Sequence, residues 1–141
     1  MFNPDRRGIG LVLLFLVACS PSQQSDPAFQ AQTKYFLESL QLVESAGRQL
    51  QGDNYSKDLI QQALTKMDEG LKFAFQVENQ FLNKLDDRLA NYYQRYFVKG
   101  IESYRLGIEA GDKNEQREGL KLLALWAQYW DREKATVSAK L

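Results

Sequence analysis

From Phe29 to the last residue the chain holds no proline, and its apolar residues recur three and four apart. Phe29, Thr33, Phe36, Leu40, Val43, Gly47 and Leu50 are spaced 4, 3, 4, 3, 4 and 3. That recurrence keeps one face of a helix turned toward a neighbour, whereas a strand needs alternation by two. Gln51-Gly52-Asp53-Asn54 interrupts the stripe with turn chemistry, and Ser56 stands where an N-cap belongs. Ile60, Leu64, Met67, Leu71, Ala74 and Phe75 then resume the spacing.

The middle of the chain admits more than one division. No Gly or Pro lies between Leu71 and Lys99, so the stripe can run on through Leu82, Leu85, Leu89, Tyr92 and Tyr96 as one long helix. A turn at Leu85-Asp86-Asp87, with Asp86 or Asp87 as cap, gives instead four helices near 29–50, 57–84, 87–110 and 114–136. A break nearer Glu78-Asn79-Gln80 is the other option. Helices of equal length bury one continuous core, so the expected fold is all-α, a four-helix bundle over 29–141. Ala110-Gly111-Asp112-Lys113-Asn114 marks the last turn, and Ala135 to Leu141, which has little pattern, is expected to fray.

Composition excludes several classes of function. There is no histidine, which removes Ser-His-Asp and Cys-His catalysis, His-rich zinc sites and ordinary haem ligation. Glycines are scattered singly, with no phosphate-binding loop. The adjacent acids Asp86-Asp87 and Asp68-Glu69 point about 100° apart on a helix and read as caps or solvated faces. Lys plus Arg and Asp plus Glu both number 18, without the basic excess of a nucleic-acid binder. The expectation is a chain that is no enzyme, takes no cofactor or metal and binds no nucleic acid.

The first residues set the expected address. Arg6 and Arg7 precede Gly8 to Val17, a stretch without charge and too short to span a bilayer, about 15 Å as a helix. It fits the apolar region of a signal peptide and ends Leu16-Val17-Ala18-Cys19, with the only cysteine of the chain. This tetrapeptide resembles the lipobox of bacterial lipoproteins. The resemblance implies a diacylglyceryl group on the Cys19 thiol, cleavage of residues 1–18 and acylation of the new amino group. Two or three acyl chains would hold the protein on a membrane for its lifetime. Ser20, where an aspartate would favour the inner membrane, implies sorting to the outer membrane of a Gram-negative cell, facing the periplasm. Residues 1–18 hold Asp5, Arg6 and Arg7, so the remainder carries 17 acids and 16 bases, a formal charge of −1. Ser20 to Ala28, SPSQQSDPA, has no large apolar residue and reads with Cys19 as a flexible linker over 19–28.

The last two predicted helices are rich in rings. Tyr92 and Tyr93 are not expected to face one interior together, nor Tyr129 and Trp130, so some rings should reach the surface as partner anchors. Tyr93, Tyr104 and Tyr129 are the candidates. Gly100 and Gly107, seven apart on one face, mark either a close helix approach or a groove floor for a partner helix, each at about 1 kcal/mol relative to alanine. The plan of lipobox, tether and small helical domain is similar to that of helical pilotins, which escort secretins to the outer membrane by binding a segment that becomes helical. The likeness is one of plan alone, carries no residue over, and departs from the disulfide those proteins often hold. It implies an adaptor, assembly factor or chaperone for another envelope protein. The alternative is a bundle with a cavity for an apolar ligand. Replacing the thiol tests the anchor: Cys19→Ser should abolish fatty-acid labelling and leave the precursor uncut, read by radiolabelled palmitate and gel mobility.

Overall fold

The computed structural model describes residues 26–52 and 56–141, which form helices joined by short turns. Cys19 and the segment 1–18 lie outside the described residues. Helix α1 (Pro27–Gln49) opens on Asp26, whose side chain accepts the Ala28 N–H at 3.1 Å, and Pro27 occupies a first-turn position that needs no N–H. Helix α2 (Lys57–Ala74) opens on Ser56, which accepts the Leu59 N–H at 3.1 Å. A short α3 (Asn79–Leu85) follows. Next, α4 (Leu89–Tyr92) passes through a π-helical turn (Tyr93–Val98) into α5 (Lys99–Ala110), one unbroken helix over 89–110. Gly111 reverses the chain at φ +67°, a conformation that costs glycine nothing, and Asp112 caps α6 (Lys113–Ser138) by accepting the Asn114 and Glu115 N–H groups. Counting 89–110 as one, the described residues contain five helices.

The described residues are therefore all-helical as expected, but the expected helix over 57–84 is two. The chain turns at Asp86-Asp87 and also just ahead of the Glu78-Asn79-Gln80 option, at 75–78, with Asn79 and Gln80 already in α3. The first break, at 75–78, has no Gly or Pro and is made by a residue far away in sequence. The Gln32 side chain in α1 donates to the Gln76 carbonyl at 3.0 Å and accepts the Glu78 N–H at 2.7 Å. One amide thus occupies an open carbonyl after α2 and an open N–H before α3, which removes the main penalty for ending a helix there. Ala74 and Val77 point inward on either side of the break, so Phe75, expected on the apolar stripe, is thrown outward and is 63% exposed.

The second break is closed from the other end of the chain. Asp86 accepts the Arg88 N–H at 3.0 Å and the Tyr129 hydroxyl at 2.9 Å, while Lys140 donates to the Leu85 carbonyl at 2.6 Å. The end expected to fray is held instead: α6 runs to Ser138, and Val137 is fully buried.

The π turn settles which rings face inward. Leu89, Tyr93, Phe97 and Ile101 are all buried at a uniform spacing of four. In an α-helix that spacing drifts by about 40° per step. The wider i→i+5 turn takes up the drift and keeps these side chains on one face. The hub of the core is Phe36, whose ring centroid lies 6.4 Å from that of Phe81, 5.4 Å from Tyr93 and 5.7 Å from Trp130. Two antiparallel pairs, α1 with α2 and α5 with α6, make most of the remaining packing.

The α2–α3 break rests on the Gln32 amide, so Gln32→Ala should lower the unfolding free energy by about 1–2 kcal/mol, the sum of two ordinary hydrogen bonds. Hydrogen exchange should rise first at Val77 to Asn79; an unchanged pattern there would mean the break has another cause.

Candidate functional site

Helices α1 and α6 face each other across a gap rather than pressing together. Phe36 and Trp130 span it at one end. Beyond that contact the gap opens into an apolar groove. Its first hollow, of about 260 Å³, is walled by Leu40 and Val43 of α1 and by Leu123, Trp126, Ala127 and Trp130 of α6, with Phe97 beneath. A second hollow shares Val43 and Leu123 with the first and continues past Gly47, Leu50, Tyr104 and Leu120. A third shares Leu50 and Tyr104 with the second and ends beside Ile108, Gly111 and Lys113. Together the three hollows follow α6 from Lys113 to Asp131, about 27 Å or five helical turns, with α1 as the opposite wall of the first two and Ile60 of α2 beside Leu50 at the third.

The two tryptophans of the chain both line the first hollow, stacked with centroids 5.6 Å apart and planes 14° from parallel. The charged residues of that hollow are both acidic, Glu44 and Asp131. Each has an exposed partner on its own helix, Arg48 at 3.7 Å and Lys134 at 3.0 Å. Such pairs are weak and readily exchanged. Lys113 lines the opposite end.

The glycines divide into two kinds. A methyl group on Gly107 would lie 2.5 Å from the Gln116 nitrogen, one on Gly100 would lie 2.9 Å from Leu123 Cγ, and one on Gly119 would collide with the Tyr104 backbone. These positions let α5 and α6 approach until backbone nearly meets backbone. Gly70 is filled in the same way by Val43. Gly47 differs: it sits within α1, faces the groove, and a methyl group there would meet nothing within 4 Å.

Of the residues singled out in the sequence, Tyr104 lines the groove, at the junction of its second and third hollows. Tyr93 and Tyr129 are buried rather than exposed as anchors should be. Ser39 donates its one hydroxyl proton to the Phe36 carbonyl at 2.6 Å, so the Tyr93 hydroxyl, also 2.6 Å away, donates to Ser39. Tyr129 and Trp130 both face packed surfaces because α6 has two: Tyr129 stacks on Tyr92 at 4.2 Å toward the α3–α4 corner, and Trp130 meets Phe36 toward α1. Gly100 and Gly107 lie under α6 and serve the close helix approach, not the groove floor. Sequence reading passed over Gly47, Leu120 and Leu123 as groove residues. The one available signal was a glycine inside an otherwise apolar stripe, and nothing in the sequence tells a filled glycine from an open one.

Electrostatics at the α3–α4 corner favour an ionised Asp86. Burial alone would raise its pKa, but the bonds from the Arg88 N–H and the Tyr129 hydroxyl, with the charges of Arg88 and Lys140, outweigh it and hold the carboxyl below its ordinary 3.8. Burial, then the bond to Asp86, pushes the Tyr129 hydroxyl well above the ordinary tyrosine value. A carboxyl depressed on folding gives stability that is fully present above 3.8 and is lost as pH falls below it. Asp86→Asn should therefore lower stability by about 2 kcal/mol at neutral pH, the scale of a hydrogen bond to a charged group. The difference from the parent should shrink in acid, below that ordinary value, as measured by urea unfolding across pH.

No family model, curated protein or solved structure matches this chain.

Proposed function

We propose that the chain is a lipid-anchored adaptor of the bacterial cell envelope whose α1–α6 groove holds a helical segment of another envelope protein. In this reading residues 1–18 are a lipoprotein signal, Cys19 carries the lipid, and the domain faces the periplasm from the outer membrane. The five helices act as an open four-helix bundle in which α2 and α3 together form one bent member. No cofactor, metal or nucleic acid enters the proposal, and neither does a catalytic step.

The observation that carries it is Gly47. A glycine in a helix interior costs about 1 kcal/mol relative to alanine, and somewhat less in a last turn such as the one Gly47 occupies, two residues before the end of α1. The other helical glycines among the described residues face neighbours that leave no ready room for a side chain. At Gly47 nothing in the free chain excludes one. A helix lying in the groove would, because small residues allow backbones to approach closely. The groove has the length for a partner helix of about 18 residues at 1.5 Å each. Apolar walls suit the buried face of an amphipathic helix. Glu44 and Asp131 at the tryptophan end favour a basic residue on the polar edge of the partner, and Lys113 an acidic one at the far end. The competing reading, a cavity for an apolar ligand, calls for an enclosed void. The apolar hollows here open along the surface, with Leu120 52% exposed on their edge, which supports a protein partner.

Two substitutions of the same kind should act with opposite signs. Gly47→Ala should raise the stability of the free domain by up to about 0.5 kcal/mol through helix propensity, Gly47 being in the last turn of α1. Gly119→Ala should lower it by about 1–3 kcal/mol through overpacking against Tyr104. Gly47→Ala should nevertheless weaken partner capture about tenfold. A photo-crosslinking amino acid at Leu120, in intact cells, should give a protein adduct that is lost with Gly47→Phe and absent when the label is moved to Leu106. Solvent-extractable lipid at Leu120 in place of protein would favour the apolar-ligand reading, and equal adducts at both positions would remove the groove from the account.

A further inference from the structure

We infer that the α2–α3 corner, with Phe75 at its tip, is the part of the domain that rests on the lipid surface. The inference depends on the anchor reading of Cys19 and is independent of the groove.

Phe75 is the most exposed large apolar side chain among the described residues, at 63%. Its exposure follows from the fold. Ala74 and Val77 are pinned inward, and the bonds from Gln32 to the Gln76 carbonyl and the Glu78 N–H hold the corner in place. The ring is thus presented on a fixed turn rather than on a loose loop.

The corner also lies where the chain leaves toward the membrane. Asp26, Phe29 and Gln32 of the α1 start line one hollow with Glu78, Phe81 and Lys84 of the corner and α3. Phe29 and Phe81 meet edge to face at 5.3 Å. From Asp26 to Gln32 is six residues of helix, about 9 Å. From Cys19 to Asp26 is seven residues, at most about 25 Å extended and about 15 Å as a coil. A lipid on Cys19 therefore keeps this corner within one short tether of the bilayer, at an effective concentration in the millimolar range. A contact too weak to bind free protein is sufficient under such tethering.

Charge near the ring is balanced. Lys72 lies one turn before Phe75, and Lys84 lines the hollow beside the corner, against Asp26 and Glu78. The contact is accordingly apolar, made by the ring at the headgroup boundary, and not an attraction to anionic lipid.

The test uses the chain from Cys19 to Leu141, which contains every described contact, coupled through its single thiol to maleimide-bearing phosphatidylethanolamine vesicles. This imposes the tether whether or not the cell lipidates Cys19, so it fails separately from the anchor reading, which Cys19→Ser decides. Phe75→Trp should leave the melting temperature unchanged, because the ring is exposed. The added tryptophan, read as the difference between variant and parent emission, should lose about half or more of its intensity when the lipids carry bromine on the acyl chains. High salt should not restore it. Quenching of the added tryptophan no greater than that of Trp126 and Trp130 would overturn the inference, as would quenching that salt abolishes.

Discussion

The ring of Phe36 is the contact on which the arrangement of helices depends. It is fully buried on α1 and meets rings from α3, the π turn and α6. Aromatic contacts of this kind each contribute roughly 0.5–1.5 kcal/mol beyond simple burial. Around it, Tyr93 stacks on Phe97 at 5.0 Å and Trp126 stacks on Trp130, so a single continuous set of rings ties the later helices to the first. The polar groups inside this cluster are satisfied locally, Tyr93 by Ser39 and Ser39 by the Phe36 carbonyl, which lets a hydroxyl sit in the core without penalty.

The groove follows from where that cluster stops. At the Phe36 end, α6 is held to α1 by Trp130. Toward the other end, the close crossings at Gly107 and Gly119 draw α6 onto α5. Helix α6 cannot lie against both neighbours along its whole length, so α1 and α6 part and leave Leu40, Val43, Gly47 and Leu50 opposite Leu120 and Leu123 without a covering helix. The same apolar stripe on α1 therefore has two uses. Its first half, around Phe36, builds the core, and its second half walls the groove.

The two corners share a design. Each lies within a stretch without glycine or proline, and each is closed by a side chain far off in sequence: Gln32 for the first, Tyr129 and Lys140 for the second. Asp86 was legible in the sequence as a turn residue because its side chain accepts the backbone N–H two positions on. That it also holds α6 through Tyr129 was not, since the partner is 43 residues away. The candidate site was less legible still. Tyr93, Tyr129, Gly100 and Gly107 stood out by residue type, yet each is occupied inside the fold, whereas Tyr104 alone of that group reaches the groove.

By itself the sequence determined helical character, the cap at Ser56, and the turn at 110–114 with its reversal at Gly111. These depend on residues within a turn of one another, where spacing and side-chain type decide the energy. The tertiary structure alone decided that the chain would turn at both corners rather than one, with the first at 75–78, that a π turn would align Tyr93 with Phe97, and that the C-terminal turn would be held. It also decided which glycines would be filled and which left open. These outcomes turn on hydrogen bonds and packing between residues tens of positions apart. No local pattern records a contact whose two halves lie on different helices. Gly47 and Gly107 are the same residue in the same kind of helix, and they differ only in what the fold brings to face them.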